Sequence, residues 1–281
     1  MKRTTLFLTL ALATILVFES CKSNNTSVSG TIFDTESQSS VDFLAVTTEI
    51  DFIRFLLLQK LSRNDSNATL PLAPCADVLY IDGPVFDRYE FTFYTNCSYF
   101  DGRDRRGTIV ADIYGDIFSP GGYFEIRPRD YKVNTASFAG FKIRTHFAGM
   151  NGINPIFIDT LKDAVVKPIK GIINLDLFQS IEWVNGYSTP GNQGDDLFAI
   201  QLDSGQLKSR NTLPASCFSN PTSLYSYSCP VPQIVNGGYR LRVKESPTRR
   251  ISYGDTTMTC DDIATLEIDS YKKTLYLKRL E

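Results

Sequence analysis

The sequence predicts an all-β fold: an antiparallel sheet or sandwich, with one N-terminal amphipathic helix behind a cleaved leader. Three observations predict it. From Cys75 onward apolar and polar residues alternate with a period of two, which is the pattern of strands with one wet face. Turn-forming clusters (Ser119-Pro120-Gly121-Gly122, Asn185-Gly186, Asn236-Gly237-Gly238, Asp269-Ser270) recur between these runs. Only residues 39–62 carry a helical period instead.

The chain opens MKRTTLFLTLALATILVFESCKSNN. Lys2 and Arg3 precede an apolar run from Thr4 to Phe18, too short for a bilayer span of about twenty residues and suited to a signal peptide. Ser20-Cys21 directly after it has the form of a bacterial lipobox, with Phe18 and Glu19 where aliphatic and small residues are usual. Residues 1–20 are therefore expected to be removed and Cys21 to be lipidated, with ordinary cleavage or an uncleaved anchor as alternatives. Each buried methylene contributes about 0.8 kcal/mol, so several acyl chains would make the anchorage permanent. Residues 21–38 are Ser-, Asn- and Thr-rich and read as a tether. The expected partner is thus a membrane, reached through the N-terminal lipid, and the expected location is the outer membrane, on either side of it.

In the helix, Phe43, Val46, Ile50, Ile53 and Leu57 share a face, and Ser39 followed by Asp42 resembles an N-cap with an acidic first turn. The stretch RNDSNATLPLAP then ends it. The β body is expected over 75–281, possibly as two halves, 75–166 and 167–281. In YRLRVKE, Tyr239, Leu241 and Val243 oppose Arg240, Arg242 and Lys244. In FKIRTHF, Phe141, Ile143, Thr145 and Phe147 oppose Lys142, Arg144 and His146. With 281 residues and 42% hydrophobic content the chain can bury a sizeable core. A net charge of −2 gives no general attraction to nucleic acid.

Five cysteines remain once Cys21 is used: Cys75, Cys97, Cys217, Cys229 and Cys260. Two segments share an order of parts: cysteine, β-rich stretch, strand, second cysteine, acidic loop, strand. One starts at Cys75 and contains Cys97; the other starts at Cys229 and contains Cys260. This echo suggests Cys75–Cys97 and Cys229–Cys260 bridges with Cys217 left over; Cys217–Cys229 competes, as do free thiols throughout. An oxidising compartment favours bridges.

The segments CSYFDGRDRRGTIVADIYG, GGYFEIRPRDYKVN and FAGFKI, and the ending ISYGDTTMTCDDIATLEIDSYKKTLYLKRL, resemble a widespread group of uncharacterised Bacteroidetes lipoproteins. In that group a cysteine-containing Asp-Gly-Arg-x-Arg-Arg/Lys-Gly segment precedes a strand, and a Gly-Asp, Cys-Asp segment with a hairpin closes the chain. The resemblance covers roughly 75 to 280 and implies an exported, lipid-anchored all-β protein with no assigned activity.

No catalytic constellation stands out, and no metal or cofactor is expected. The loop around Asp101, Arg103, Asp104, Arg105 and Arg106 lacks the alternating oxygen ligands and distal Glu of a calcium loop; it reads as a solvated turn in which Gly102 and Gly107 take unusual dihedrals. Asp195-Asp196 and Asp261-Asp262 point to opposite faces if extended and make poor acid/base pairs. His146, the single histidine, falls on the wet face. One binding hypothesis remains. Arg127 and Arg129 share a face of one strand and Lys142, Arg144 and His146 a face of the next. If the faces coincide they form a basic patch, joined by Arg103, Arg105 and Arg106, for an anionic glycan or another envelope component. The expected function is non-catalytic binding or structural work. A carboxylate-dependent hydrolase would need two carboxylates in a cleft, and a carrier of apolar cargo would need an empty cavity.

Overall fold

The structure, a computed structural model, describes residues 37–62, 76–94, 101–189, 192–210, 212–229, 231–254 and 258–277. The leader, Cys21, nearly all of the tether, Cys75 and Cys97 lie outside the described residues.

One helix, α1 (Gln38–Ser62), precedes fourteen strands. These are β1 (Ala76–Ile81), β2 (Asp87–Phe93), β3 (Arg105–Tyr114), β4 (Tyr123–Val133), β5 (Ala136–Asn151), β6 (Asn154–Lys167) and β7 (Ile173–Asn185), then β8 (Leu197–Lys208), β9 (Ala215–Ser219), β10 (Ser223–Ser226), β11 (Gln233–Val243), β12 (Arg249–Tyr253), β13 (Ile263–Ile268) and β14 (Tyr271–Tyr276). They form a single antiparallel sheet rather than two packed sheets. Its order follows the chain except that β8 pairs with β10, while β9 bridges β8 and β11. Pairing of β6 with β7 starts at Val166–Ile173, so hydrogen bonds run unbroken across the boundary of the two expected halves.

The sheet curls around α1. Helix side chains meet partners from along the whole sheet: Glu49 meets Arg105 and Tyr131, Arg54 meets Asp159, Phe43 packs edge-on against Tyr239, and the Phe55 carbonyl accepts from the Tyr227 hydroxyl at 2.8 Å. The stretch leading into β3 also meets the far side of the sheet, because Arg103, just before β3, donates to the Leu277 carbonyl, just after β14, at 3.2 Å.

The helix therefore has no wet face, contrary to the amphipathic expectation. Phe43, Val46, Ile50, Ile53 and Leu57 are buried, and so are Leu44, Phe52, Phe55, Leu56 and Leu58 on the other sides. Burying each such side chain contributes about 1.5–3 kcal/mol. Polar Asp42, Glu49, Asp51, Arg54, Gln59 and Lys60 are buried with them. The expected cap also differs. Ser39 lies inside the helix, whose first turn is closed by Val41 N–H donating to the Ser37 carbonyl at 3.0 Å. Asp42 faces the sheet, accepting from Gln38, from the Ser209 hydroxyl at 2.5 Å and from Arg210 at 3.1 Å.

The strand alternation is as read: Tyr239, Leu241, Val243, Phe141, Ile143 and Thr145 point into the core, while Lys142, Arg144 and His146 are exposed. Asn236-Gly237-Gly238 is not a turn. It lies within β11, where one edge of the strand changes partner from β10 to β9. Gly237 sits at φ +100°, and a Cβ there would fall 2.2 Å from the Thr222 carbonyl oxygen, so close backbone approach rather than chain reversal requires the glycine.

Cys229 and Cys260 form a disulfide, and Cys217 is free and buried on β9. This excludes the Cys217–Cys229 alternative. The echo has a counterpart in topology: Cys229 precedes β11 and β12, and Cys260 stands between β12 and β13, as Cys75 precedes β1 and β2, and Cys97 stands between β2 and β3. The bridge spans 31 residues. Loop-closure entropy then predicts that Cys260→Ser lowers stability by about 3–4 kcal/mol, read as a shift in the urea midpoint under oxidising conditions. Burial pushes the Cys217 thiol far above its usual range, so it should stay unmodified by maleimide until the protein unfolds.

Candidate functional site

Two groups of charged residues separate across the sheet. The first points inward. Gly102 (φ +74°) and Gly107 (φ +96°) take the left-handed conformation, as expected, but the loop between them is not a solvated turn. Arg103 and Arg105 are buried and converge on Glu49 of α1. Arg105 Nε and Nη2 each donate to Glu49 at 2.9 Å, Arg103 Nη1 donates at 3.2 Å, and Asp101 takes the rest of the Arg105 fork at 2.6 and 2.9 Å. Burial is the largest single influence and would raise the Asp101 carboxyl, but the Arg105 hydrogen bonds together with the charges of Arg105 and Arg103 outweigh it and hold it below the usual range. The Phe52 ring lies under the Arg105 guanidinium, 3.8 Å from centroid to Cζ. These two arginines leave the expected basic patch because a buried helix carboxylate takes both. Arg106 alone of the loop is exposed, paired with Asp104.

A second inward cluster lies further along α1. Arg54 bridges Asp51 at 2.5 Å and Asp159 of β6 at 2.8 Å; Asp159 also accepts from the Thr145 hydroxyl, and the Gln179 amide oxygen is assigned to face Arg54 at 2.9 Å. Burial, only partly offset by Arg54, pushes Asp51 up from 3.8 to about 6. The folded chain therefore holds a proton there that the unfolded chain has released. This contribution to stability is fully present below about pH 4 and is lost as pH rises through about 6, for a change of about 3 kcal/mol at most. Asp51→Asn should flatten that part of the stability–pH curve, measured by urea unfolding between about pH 4 and 7.

The outward group is the candidate site. Glu125 of β4 pairs with Arg144 of β5, and Asp112 of β3 pairs with Glu125, so the wet faces of β3, β4 and β5 coincide. On this face Arg88, Arg127, Arg129, Lys142 and Arg144 share three carboxylates. Asp112 is nearly enclosed between Arg88 at 2.6 Å and Arg127 at 2.5 Å; Glu90 takes Arg129 at 2.6 Å; Glu125 takes Lys142 at 2.8 Å and Arg144 at 3.9 Å. Burial would raise Asp112, but the bonds from Arg88 and Arg127 outweigh it and hold it low. The bond from Arg129 does the same for Glu90. Asp112 and Glu90 thus stay charged at neutral pH, and the five cations of this face outnumber its three carboxylates.

Aromatic rings lie among these charges. Tyr114 and Tyr123 are stacked, 4.5 Å apart and 12° from parallel, with Arg144 over Tyr123 at 4.1 Å; Phe86 stands 5.3 Å from Tyr114, with Arg88 over it at 5.1 Å. Arg88 and the tyrosine pair were absent from the sequence reading. The signal for them was the register, which only the pairing of β2, β3 and β4 supplies.

Elsewhere, a pocket of about 260 Å³ opens where α1 begins, lined by Val46, Phe138, Ile169 and Ile173 together with Asp42 and Arg210. Asp42 is its one lining carboxylate and is already held by Ser209 and Arg210. Asp196 accepts from the Trp183 indole at 3.1 Å, whereas Asp195 accepts from Thr189 at 2.8 Å. Among the described residues no cluster of three His, Cys, Asp or Glu is arranged to hold a metal ion, and no helix is long and apolar enough to cross a membrane. No protein-family model, curated protein or solved structure matches the chain.

Proposed function

We propose that the protein is a lipid-anchored, non-catalytic binding module of the bacterial cell envelope, held to the outer membrane through Cys21, with the β2–β5 face taking an acidic glycan. The observation that carries the reading is the excess of cations over carboxylates on that face, beside the half-buried, stacked pair Tyr114 and Tyr123. Guanidinium and ammonium groups offer charge-assisted bonds to uronate or sulfate groups, and the uncovered ring edges offer apolar area to sugar C–H groups. Helix α1 occupies the inside of the curled sheet and the pocket beside it holds one Phe and no Tyr, which favours this over a carrier of apolar cargo; that pocket's single, engaged carboxylate favours it over carboxylate hydrolysis, which needs two.

The test is binding to alginate, a uronic-acid polymer, against neutral dextran. Arg127→Glu/Arg129→Glu/Arg144→Glu should weaken alginate binding at least about tenfold, and added salt should weaken the wild type in parallel. Equal alginate binding by wild type and variant would reject this face. Mass spectrometry of the native protein, showing whether its first residue is an acylated Cys21, tests the anchor separately.

A further inference from the structure

Strand direction sorts the loops into two ends. The β2–β3, β4–β5, β6–β7, β11–β12 and β13–β14 connections and the β8–β9 loop share the end where α1 begins; the β1–β2, β3–β4, β5–β6, β7–β8, β10–β11 and β12–β13 connections share the end where it finishes. Each end carries exposed apolar tips. At the far end these are Val85, 74% exposed, and Ile153, 70% exposed. They stand among Asp82, Asp116, Asp195, Asp261 and Asp262, and the described connections there contain no Lys or Arg.

At the near end the β6–β7 tip reads Lys167-Pro-Ile-Lys-Gly-Ile172. Ile169 is 77% exposed, Ile172 47%, and both lysines are exposed. Gly171, at φ +82°, turns the tip over Arg210, whose side chain pairs with Asp42 of α1. Lys132, Lys208 and Lys244 are exposed at the same end, with Asp104, paired with Arg106, and Glu245 and Asp269 in its other turns. Only this end therefore combines an apolar tip with flanking cations, and the described chain begins here, at Ser37.

We infer that the Lys167–Ile172 tip is a membrane contact that inserts Ile169 and Ile172 at the interface of an anionic phospholipid bilayer. Isoleucines with lysines beside them suit that boundary: the apolar groups enter the acyl edge while the ammonium groups stay at the phosphates. The inference rests on the anchored reading for the presence of a bilayer. The fifteen residues between Cys21 and Ser37 can reach at most about 50 Å, so the tether alone leaves the body free to turn. The tip selects one orientation, with the acidic end pointing away and the β2–β5 face standing side-on to the membrane.

The test uses residues 21–281 with Cys21→Ser, so that no lipid contributes, in sedimentation with phosphatidylglycerol-containing vesicles and with phosphatidylcholine vesicles alone. The wild-type body is expected to bind the anionic vesicles. Ile169→Ser/Ile172→Ser should weaken this at least about tenfold, Lys167→Glu/Lys170→Glu should abolish the preference for anionic lipid, and Val85→Ser/Ile153→Ser at the far end should leave binding unchanged. All six positions are exposed, so each variant keeps the core intact, which the circular dichroism of the buried aromatic rings verifies. Failure of the wild-type body to bind either vesicle, or equal loss in the far-end variant, would overturn the inference. Acylation of Cys21 is read independently by mass spectrometry, so loss of the anchor and loss of the tip contact are distinguishable.

Discussion

Replacing Glu49 with alanine is expected to destabilise the protein by about 3–5 kcal/mol. Glu49 is fully buried on α1 and is the shared acceptor for Arg103, Arg105 and the Tyr131 hydroxyl. Removing it leaves two buried guanidiniums with Asp101 as the remaining carboxylate partner, a far larger penalty than the net worth of the ion pairs themselves. The same change loosens the contact between the start of β3 and the end of β14, because Arg103 also holds the Leu277 carbonyl. Urea unfolding reads the effect as a lower midpoint with an unchanged slope. Glu49→Gln, which keeps an acceptor oxygen but no charge, should lose less. A loss below about 1 kcal/mol for the alanine variant would show that the cluster relaxes or hydrates instead of remaining buried.

Replacing Arg54 with leucine should have an effect of similar size, about 3–5 kcal/mol, and a distinctive pH dependence. Arg54 is fully buried between Asp51 and Asp159. Without it two carboxylates face each other in the core, and each can escape the penalty only by taking a proton. The deficit relative to wild type should therefore shrink as pH falls toward about 5 and grow toward about 8. Arg54→Leu/Asp51→Asn/Asp159→Asn removes all three charges and should recover much of the loss, because neutral replacement of a buried ionic group is often close to neutral in stability. A deficit that does not change with pH would assign the effect to packing around Phe55 and not to charge.

Much of the body was legible because a strand exposed on one side writes its orientation into every second residue. The wet and dry faces of β5 and β11 follow from Lys142 and Arg144 against Phe141 and Ile143, and from Arg240 and Arg242 against Leu241 and Val243. The Cys229–Cys260 bridge was legible from the shared order of parts around the two cysteine pairs. The helix was legible as a helix but not as an enclosed one. FIRFLLL, 52–58, is apolar apart from a single arginine, and that density already departs from a helix with a wet side. The arginines of 103–106 misled for a related reason: charge in a short loop normally marks solvent, and only the enclosed Glu49 reverses the expectation.

By itself the sequence determined the class of fold, the place of its helix and which side chains of strands such as β5 and β11 face inward, since these depend on periodicities of two and of about 3.6 that are local properties of the chain. Tertiary structure decided that one sheet closes around the helix, that Arg103 and Arg105 serve the core while Arg127, Arg129, Lys142 and Arg144 remain outside, and that Arg88, Tyr114 and Tyr123 join them. Those outcomes depend on register and curvature. Both are set by contacts between residues far apart in the chain, such as Glu49 with Arg105 and Arg54 with Asp159, which leave no periodic mark on the sequence.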